Sequence, residues 1–277
     1  MDRARLLART LGRFGHSISR LWLVASEEVL AQAAPLFAPV VETEGVPERV
    51  WVPELGHWRR LLRLPWNGAA RPGYRAQQLI KLEAARWVET DFYLTLDADV
   101  LLTRDVPFDW LVQDGRARTV RFSGTDHRKW YRVAAEILGV PPSAWEHGVT
   151  PCLLSRRCAL GLQAFLEQPV GRRDARVAMA SAHGITGGWR SLLLRRNDWT
   201  EYTLYHTFVE HGDFFDGHHF AVPPEAWYGG NVWSAADWSS WNPRAAFAPD
   251  ASHRFSVLGS KAGRSVDWIE GAVAPFL

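Results

Sequence analysis

The sequence predicts an α/β protein with a mostly parallel sheet and helices on both faces, and three observations point to it. Short apolar runs of strand length alternate with longer segments of helical periodicity through the first two-thirds of the chain. The run Phe92-Tyr93-Leu94-Thr95-Leu96 stops abruptly at Asp97 and Asp99, as a buried strand stops where a polar loop begins. With 277 residues and 47% hydrophobic content, the composition is that of an ordinary globular protein, and a single domain over 1–277 is expected.

Taken in order, Met1 to Arg20 sets Leu7, Leu11, Phe14 and Ile18 at helical spacing among five arginines. Such a face either rests on a membrane surface or packs on its own domain. Leu21 to Ala25 reads as a strand, Glu27 to Phe37 as a helix and Glu48 to Pro53 as a further short strand. Arg75 to Val88 is the clearest helix, with Leu79, Ile80, Ala84, Trp87 and Val88 on one face, and it feeds the strand that ends in the two carboxylates. Arg118 to Ser123 is a predicted strand, Lys129 to Leu138 a helix stopped by Gly139, Val149 to Leu154 a strand and Arg156 to Glu167 a helix. Residues 170–188 are polar and glycine-rich and read as a mobile loop. A helix should begin at Asp198, residues 212–250 should be irregular, and His253 to Leu258 should form the last strand.

Lysine and arginine number 32 against 30 acidic residues, a net charge of +2 without a long basic block, so nucleic acid is not an expected partner. No apolar run approaches the roughly 18–20 residues of a membrane helix, and no signal-peptide core is present. Cys152 and Cys158 have neither metal-site nor redox spacing, and a reducing cytoplasm is the expected compartment. His183, His206, His211, His218 and His219 lack zinc-site spacing. Trp227, Trp233, Trp238 and Trp241, four of fifteen tryptophans, fall in a Gly/Ser/Asn/Pro-rich stretch. They either pack a core or line a ligand cleft, where an indole lies flat on the C–H face of a sugar.

Asp97 and Asp99, two apart on a strand, should share a face. Side by side they repel, and a hard divalent cation relieves this; Mg²⁺ or Mn²⁺ bound by one or two carboxylates keeps sites for substrate phosphates. The alternative is a pair that merely ends a strand or caps a turn. Ligands of open α/β sheets gather beyond the strands' carboxyl ends, where these aspartates should lie.

Several stretches in order resemble the GT-A-type glycosyltransferases, and most closely a bacterial family of uncharacterised GT-A-like proteins. They are Gly73-Tyr74-Arg75-Ala76-Gln77-Gln78-Leu79-Ile80-Lys81-Leu82, Tyr93 to Asp99, Val149-Thr150-Pro151, Trp199 to Tyr205 and His253 to Leu258. The resemblance implies a GT-A (Rossmann-like) fold, a nucleotide diphosphate sugar donor, Mn²⁺ or Mg²⁺ at the Asp97-Ala98-Asp99 motif, and His253 as a later metal or phosphate ligand. Residues 1–125 would form the donor and metal half and 126–277 the acceptor half. GT-A domains open with a strand that touches the nucleotide base, whereas this chain opens with a helix. The first strand is therefore expected to be missing, which leaves room for a non-catalytic carbohydrate-binding or scaffold protein.

Lys81 forms one polar patch with Gln77 and Gln78, and either contacts the donor phosphate or faces solvent. Glu201 is the candidate catalytic base for a hydroxyl acceptor, such as a cell-surface glycan; alternatively, it belongs to a helix cap begun by Asp198. Trp199 and Tyr202 are candidates to stack on the acceptor sugar. A nucleotidyltransferase also uses paired aspartates, but no glycine-rich basic loop lies near the N-terminus to cradle a triphosphate.

Overall fold

A computed structural model describes residues 2–55, 72–124, 127–169, 171–180, 186–196 and 198–277. The chain is a mixed α/β protein that opens with helix α1 (Asp2–Phe14), strand β1 (Arg20–Ala25), helix α2 (Glu27–Phe37) and strand β2 (Glu42–Pro47). The Ser26 side chain caps α2, with Glu27 and Glu28 in the first turn, where the helix dipole favours acids. The strand expected over 48–53 is instead a helical turn, α3 (Glu48–Trp51). Pro47 has the φ that a helix start requires, and Glu48 and Trp51 are both buried, a spacing a strand would send to opposite faces.

Helix α4 (Pro72–Glu83), strand β3 (Phe92–Thr95), strand β4 (Val100–Leu102), strand β5 (Arg116–Phe122) and helix α5 (Arg128–Leu138) follow. Gly139 ends α5 in the left-handed region at φ 74°, the position glycine occupies without a Cβ penalty. Strand β6 (Glu146–His147), strand β7 (Cys152–Ser155), helix α6 (Arg156–Glu167), helix α7 (Ala175–Ala180) and helix α8 (Gly188–Leu194) come next. Helix α7 occupies part of the stretch read as loop over 170–188; its flank 181–185, with His183, lies outside the described residues. The chain closes through helix α9 (Glu201–His211), strand β8 (His219–Val222), strand β9 (Phe255–Val257) and helix α10 (Val266–Val273).

Residues divide into two compact units. The first comprises 1–46, 96–114 and 221–277. Its β4 and β9 form an antiparallel ladder with Val100 opposite Val257 and Leu102 opposite Phe255. Leu6, Leu101, Val232, Trp241, Leu258 and Ile269 are in its core. The buried Thr10 hydroxyl on α1 accepts from Leu102 N–H at 3.2 Å and donates to Leu7 C=O at 3.1 Å. Leu7 and Leu11 are buried, and Arg5 and Arg9 pair with Glu270 on α10. The apolar face of α1 is therefore covered by the helix's own unit.

The second unit comprises 47–95 and 115–220. Its β3 and β7 pair antiparallel, Phe92 opposite Ser155 and Thr95 opposite Cys152, and β5 pairs antiparallel with β6. These ladders and β4–β9 run antiparallel where a mostly parallel sheet was expected; alternation of elements fixes the layers but not the strand sense, which depends on partners far apart in sequence. Leu79, Leu82, Leu154, Leu162, Phe165 and Phe208 are core residues of this unit.

Candidate functional site

In the first unit, Asp97 and Asp99 lie in the turn before β4, not on one strand face, and Val100 N–H closes that turn on Asp97 C=O at 3.1 Å. The backbone around Asp99 is fixed from the other side of the β4–β9 ladder. Leu258 N–H donates to Asp99 C=O at 2.9 Å, and Ser260 N–H donates to the Asp99 carboxylate at 3.1 Å. Burial, and then the neighbouring Asp97 charge, push the Asp99 carboxyl above the usual range, against the opposing pull of Ser260 N–H and the Arg3 guanidinium. Arg3 is itself anchored on the carbonyls of Leu258 and Arg264.

A crowded, partly desolvated carboxylate pair is a chemical fit for a hard divalent ion that takes one or two carboxylates and completes its shell with water and phosphate oxygens. Among the described residues no three His, Cys, Asp or Glu side chains are grouped to hold a metal. His253, expected as a third ligand, places Nε2 at 3.0 Å from Ala246 C=O, and its ring lies so close to Gly229 that a Cβ there would strike it. One ring nitrogen of His253 is thus engaged within its own unit.

In the second unit the structure brings four sequence-predicted residues together. Lys81 Nζ lies 2.8 Å from Glu201 Oε1, and the two side chains are only 8% and 1% exposed. Of the two readings of Lys81, the solvated face does not hold: α4 turns Lys81 inward with Gln78, whose Oε1 accepts from Glu201 N–H at 2.8 Å. The Lys81 ammonium sits 4.7 Å from the Tyr202 ring centroid, a cation–π contact. Tyr202 OH is 2.9 Å from Thr95 Oγ1, which donates to Cys152 C=O at 3.0 Å. Tyr93 OH donates to Lys81 C=O at 3.0 Å. Burial, with a further push from Glu201, holds the Cys152 thiol far above its ordinary range and therefore protonated.

Helix α9 starts later than the sequence suggested. Asp198 is engaged by Arg196 at 3.3 Å, and the Thr200 side chain caps the helix by accepting from Thr203 N–H at 3.2 Å. Glu201 thereby becomes the first helical residue, where a carboxylate is favoured by the helix dipole. Trp199 is buried with Nε1 on Leu193 C=O at 3.1 Å, and Tyr202 is buried too, so neither presents a ring face to solvent as an acceptor platform would. Thr95, Tyr93 and Cys152 were missed, because their roles arise from contacts with residues 12 to 107 positions away and carry no local motif.

The tail tryptophans divide. Trp227 is buried and stacks on Trp110 at 5.0 Å, Trp241 is buried in the first unit's core, and Trp238 packs against that core with Nε1 on Ala262 C=O at 2.7 Å. Trp233 is exposed.

One sequence-family profile matches residues 1–277, the whole chain. The chain belongs to the family of unknown function DUF6492. No curated protein sequence matches it. Among solved structures, the DUF6492 chain is similar to the apo crystal structure of mouse xyloside xylosyltransferase 1, with a TM-score of 0.50 and 12% identity over 95% of this chain and 93% of that one. At that identity the likeness is one of fold: a GT-A-like α/β architecture. Among the described residues, no helix is long and apolar enough to cross a membrane.

Proposed function

We propose that this DUF6492 protein is a metal-dependent glycosyltransferase that moves a sugar from a nucleotide diphosphate donor to a hydroxyl on a glycan or other cell-surface precursor. The observation that carries the reading is the Asp97–Asp99 pair in a turn of a glycosyltransferase-like fold, where burial and then the Asp97 charge raise the Asp99 carboxyl. Asp97 and Asp99 hold Mg²⁺ or Mn²⁺ in this reading, with His253 as the candidate further contact to metal or phosphate. Such an ion would supply positive charge beside the departing nucleoside diphosphate. Glu201 takes the acceptor proton as that oxygen bonds to the anomeric carbon and the carbon–oxygen bond to the diphosphate breaks, the electron pair leaving with the diphosphate. A single displacement of this kind inverts the anomeric configuration. Lys81 and Gln78, the candidate donor contacts, hold Glu201.

A second reading is favoured by one observation: Glu201 and Lys81 are buried against each other, as a structural ion pair would be. On that reading the fold binds carbohydrate without turnover.

Calorimetric titration with UDP and with GDP, with and without Mn²⁺, tests the donor site. Metal-dependent binding that disappears in an Asp97→Ala, Asp99→Ala protein is the expected result. Absence of binding to the folded wild type would overturn the donor assignment for both nucleotides and favour the second reading. Where a donor is found, Glu201→Gln should keep nucleotide binding and lose transfer.

A further inference from the structure

The second unit contains a group of imidazoles that the proposed chemistry does not use. His147 on β6 and His206 on α9 stack face to face with centroids 4.1 Å apart and planes 7° from parallel. His219, which begins β8, stands edge-on to His206 at 6.0 Å. All three are buried.

Their polar surroundings suit uncharged rings. His147 Nε2 meets Glu210 Oε1 at 3.0 Å, and its Nδ1 meets Tyr131 OH at 3.2 Å. His219 is held between Tyr205 OH and Thr119 Oγ1, both at 2.8 Å. Among the described residues, His206 has only the Cys152 thiol, 3.7 Å from Nε2, and its buried Nδ1 has no hydrogen-bond partner. A proton on His206 would meet no acceptor there and would face a second ring 4.1 Å away.

The charged and titratable neighbours come from each packed element. Glu210 on α9 is the carboxylate in contact with the stack, and it is shared with Arg121 on β5 at 3.2 Å. Glu146 on β6 is turned to His127, at 3.3 Å. Tyr131 on α5, Tyr205 on α9 and the Cys152 thiol on β7 are held protonated by burial, and His218 bonds Ser155 Oγ at 3.1 Å. Glu210, already shared with Arg121, and more weakly Glu146 thus favour a charge on His147, and neither offsets one on His206 or His219.

We propose that the His147–His206 stack with His219 is an acid-sensitive latch, which holds α9 in the second unit only while the rings are uncharged. Helix α9 begins with Glu201, so opening the latch would also loosen the Lys81–Glu201 pair.

Burial lowers all three histidines, His219 to about 3 and His206 well below the ordinary value; the other rings lower His206 and His219 further, while Glu210 partly restores His147. A base depressed in the folded state binds its proton only on opening. Stability is thus complete above the ordinary histidine value of about 6.5 and falls as the pH drops below it. Each ring that refuses a proton when folded raises the opening equilibrium by up to about tenfold per pH unit in that window, so His206 and His219 together give up to about a hundredfold.

The test is hydrogen exchange of peptides covering 201–211 on the full chain at pH 7.5, 6.0 and 5.0, corrected for intrinsic exchange rates. Protection should fall steeply below pH 6.5 in the wild type and much less in His206→Phe, whose ring keeps the stack without a titrating nitrogen. Imidazole NMR of the wild type serves if that variant does not fold. The His206 signal should hold its neutral shift until α9 loses protection. A His206 that titrates smoothly near pH 6 with α9 still protected, or protection that does not depend on pH, would overturn the latch.

Discussion

Asp97 and Asp99 repel each other in a turn of the first unit, whereas Lys81 and Glu201 attract each other at 2.8 Å in the interior of the second. The first pair is half-buried, with Asp99 favoured by a backbone N–H and a guanidinium, while the second is buried beside a tyrosine ring and a glutamine side chain. Like charges kept close in a folded chain lower its stability unless a cation lies between them, which is the ground for proposing an ion at the first pair. Opposite charges buried together satisfy each other, and their cost appears only when one is removed.

Removing one member of the buried pair should have the largest effect. Glu201→Ala leaves an uncompensated ammonium and should cost about 3–5 kcal/mol in chemical denaturation, whereas the double change Lys81→Met, Glu201→Leu should be close to neutral. If the double change cost as much as the single one, the pair would be more than mutual compensation. Next comes the aspartate pair. Mn²⁺ at a hundred times its dissociation constant should stabilise the wild type by about 2.7 kcal/mol, seen as a rise in Tm, and should leave Asp97→Asn, Asp99→Asn unchanged. Equal shifts in both proteins would break the contrast, since the aspartates would then behave as an ordinary turn. The smallest effect belongs to Arg5, whose side chain is 45% exposed in its pairing with Glu270. Arg5→Ala should cost at most about 1 kcal/mol and less at high salt, a reference for what an exposed pair contributes here.

Local physics was legible in the sequence. The Ser26-capped helix Glu27–Phe37, the helix Arg156–Glu167 and the stop at Gly139 needed only periodicity, a cap and a glycine. Asp97, Asp99 and Glu201 stood out as carboxylates beside apolar patterns, and Lys81 as part of a polar helix patch. Partnership was not legible. Whether Lys81 meets phosphate or faces solvent stayed open in the sequence because its partner carboxylate lies 120 positions away, and Asp198 read as a helix cap because the sequence does not show that Arg196 occupies it. Trp199 and Tyr202 drew a sugar-stacking reading from their chemistry alone, yet both rings are enclosed.

The ladder between β4 and β9 also bears on the order in which the protein is made. Leu102 pairs with Phe255, and the backbone of Asp99 is pinned by Leu258, so the aspartate turn waits on residues synthesised more than 150 positions later. All residues of the second unit have been translated by position 220. On the ribosome, the buried ion pair can therefore form while the aspartate turn still lacks its opposite strand, and the last 57 residues, 221–277, complete the first unit.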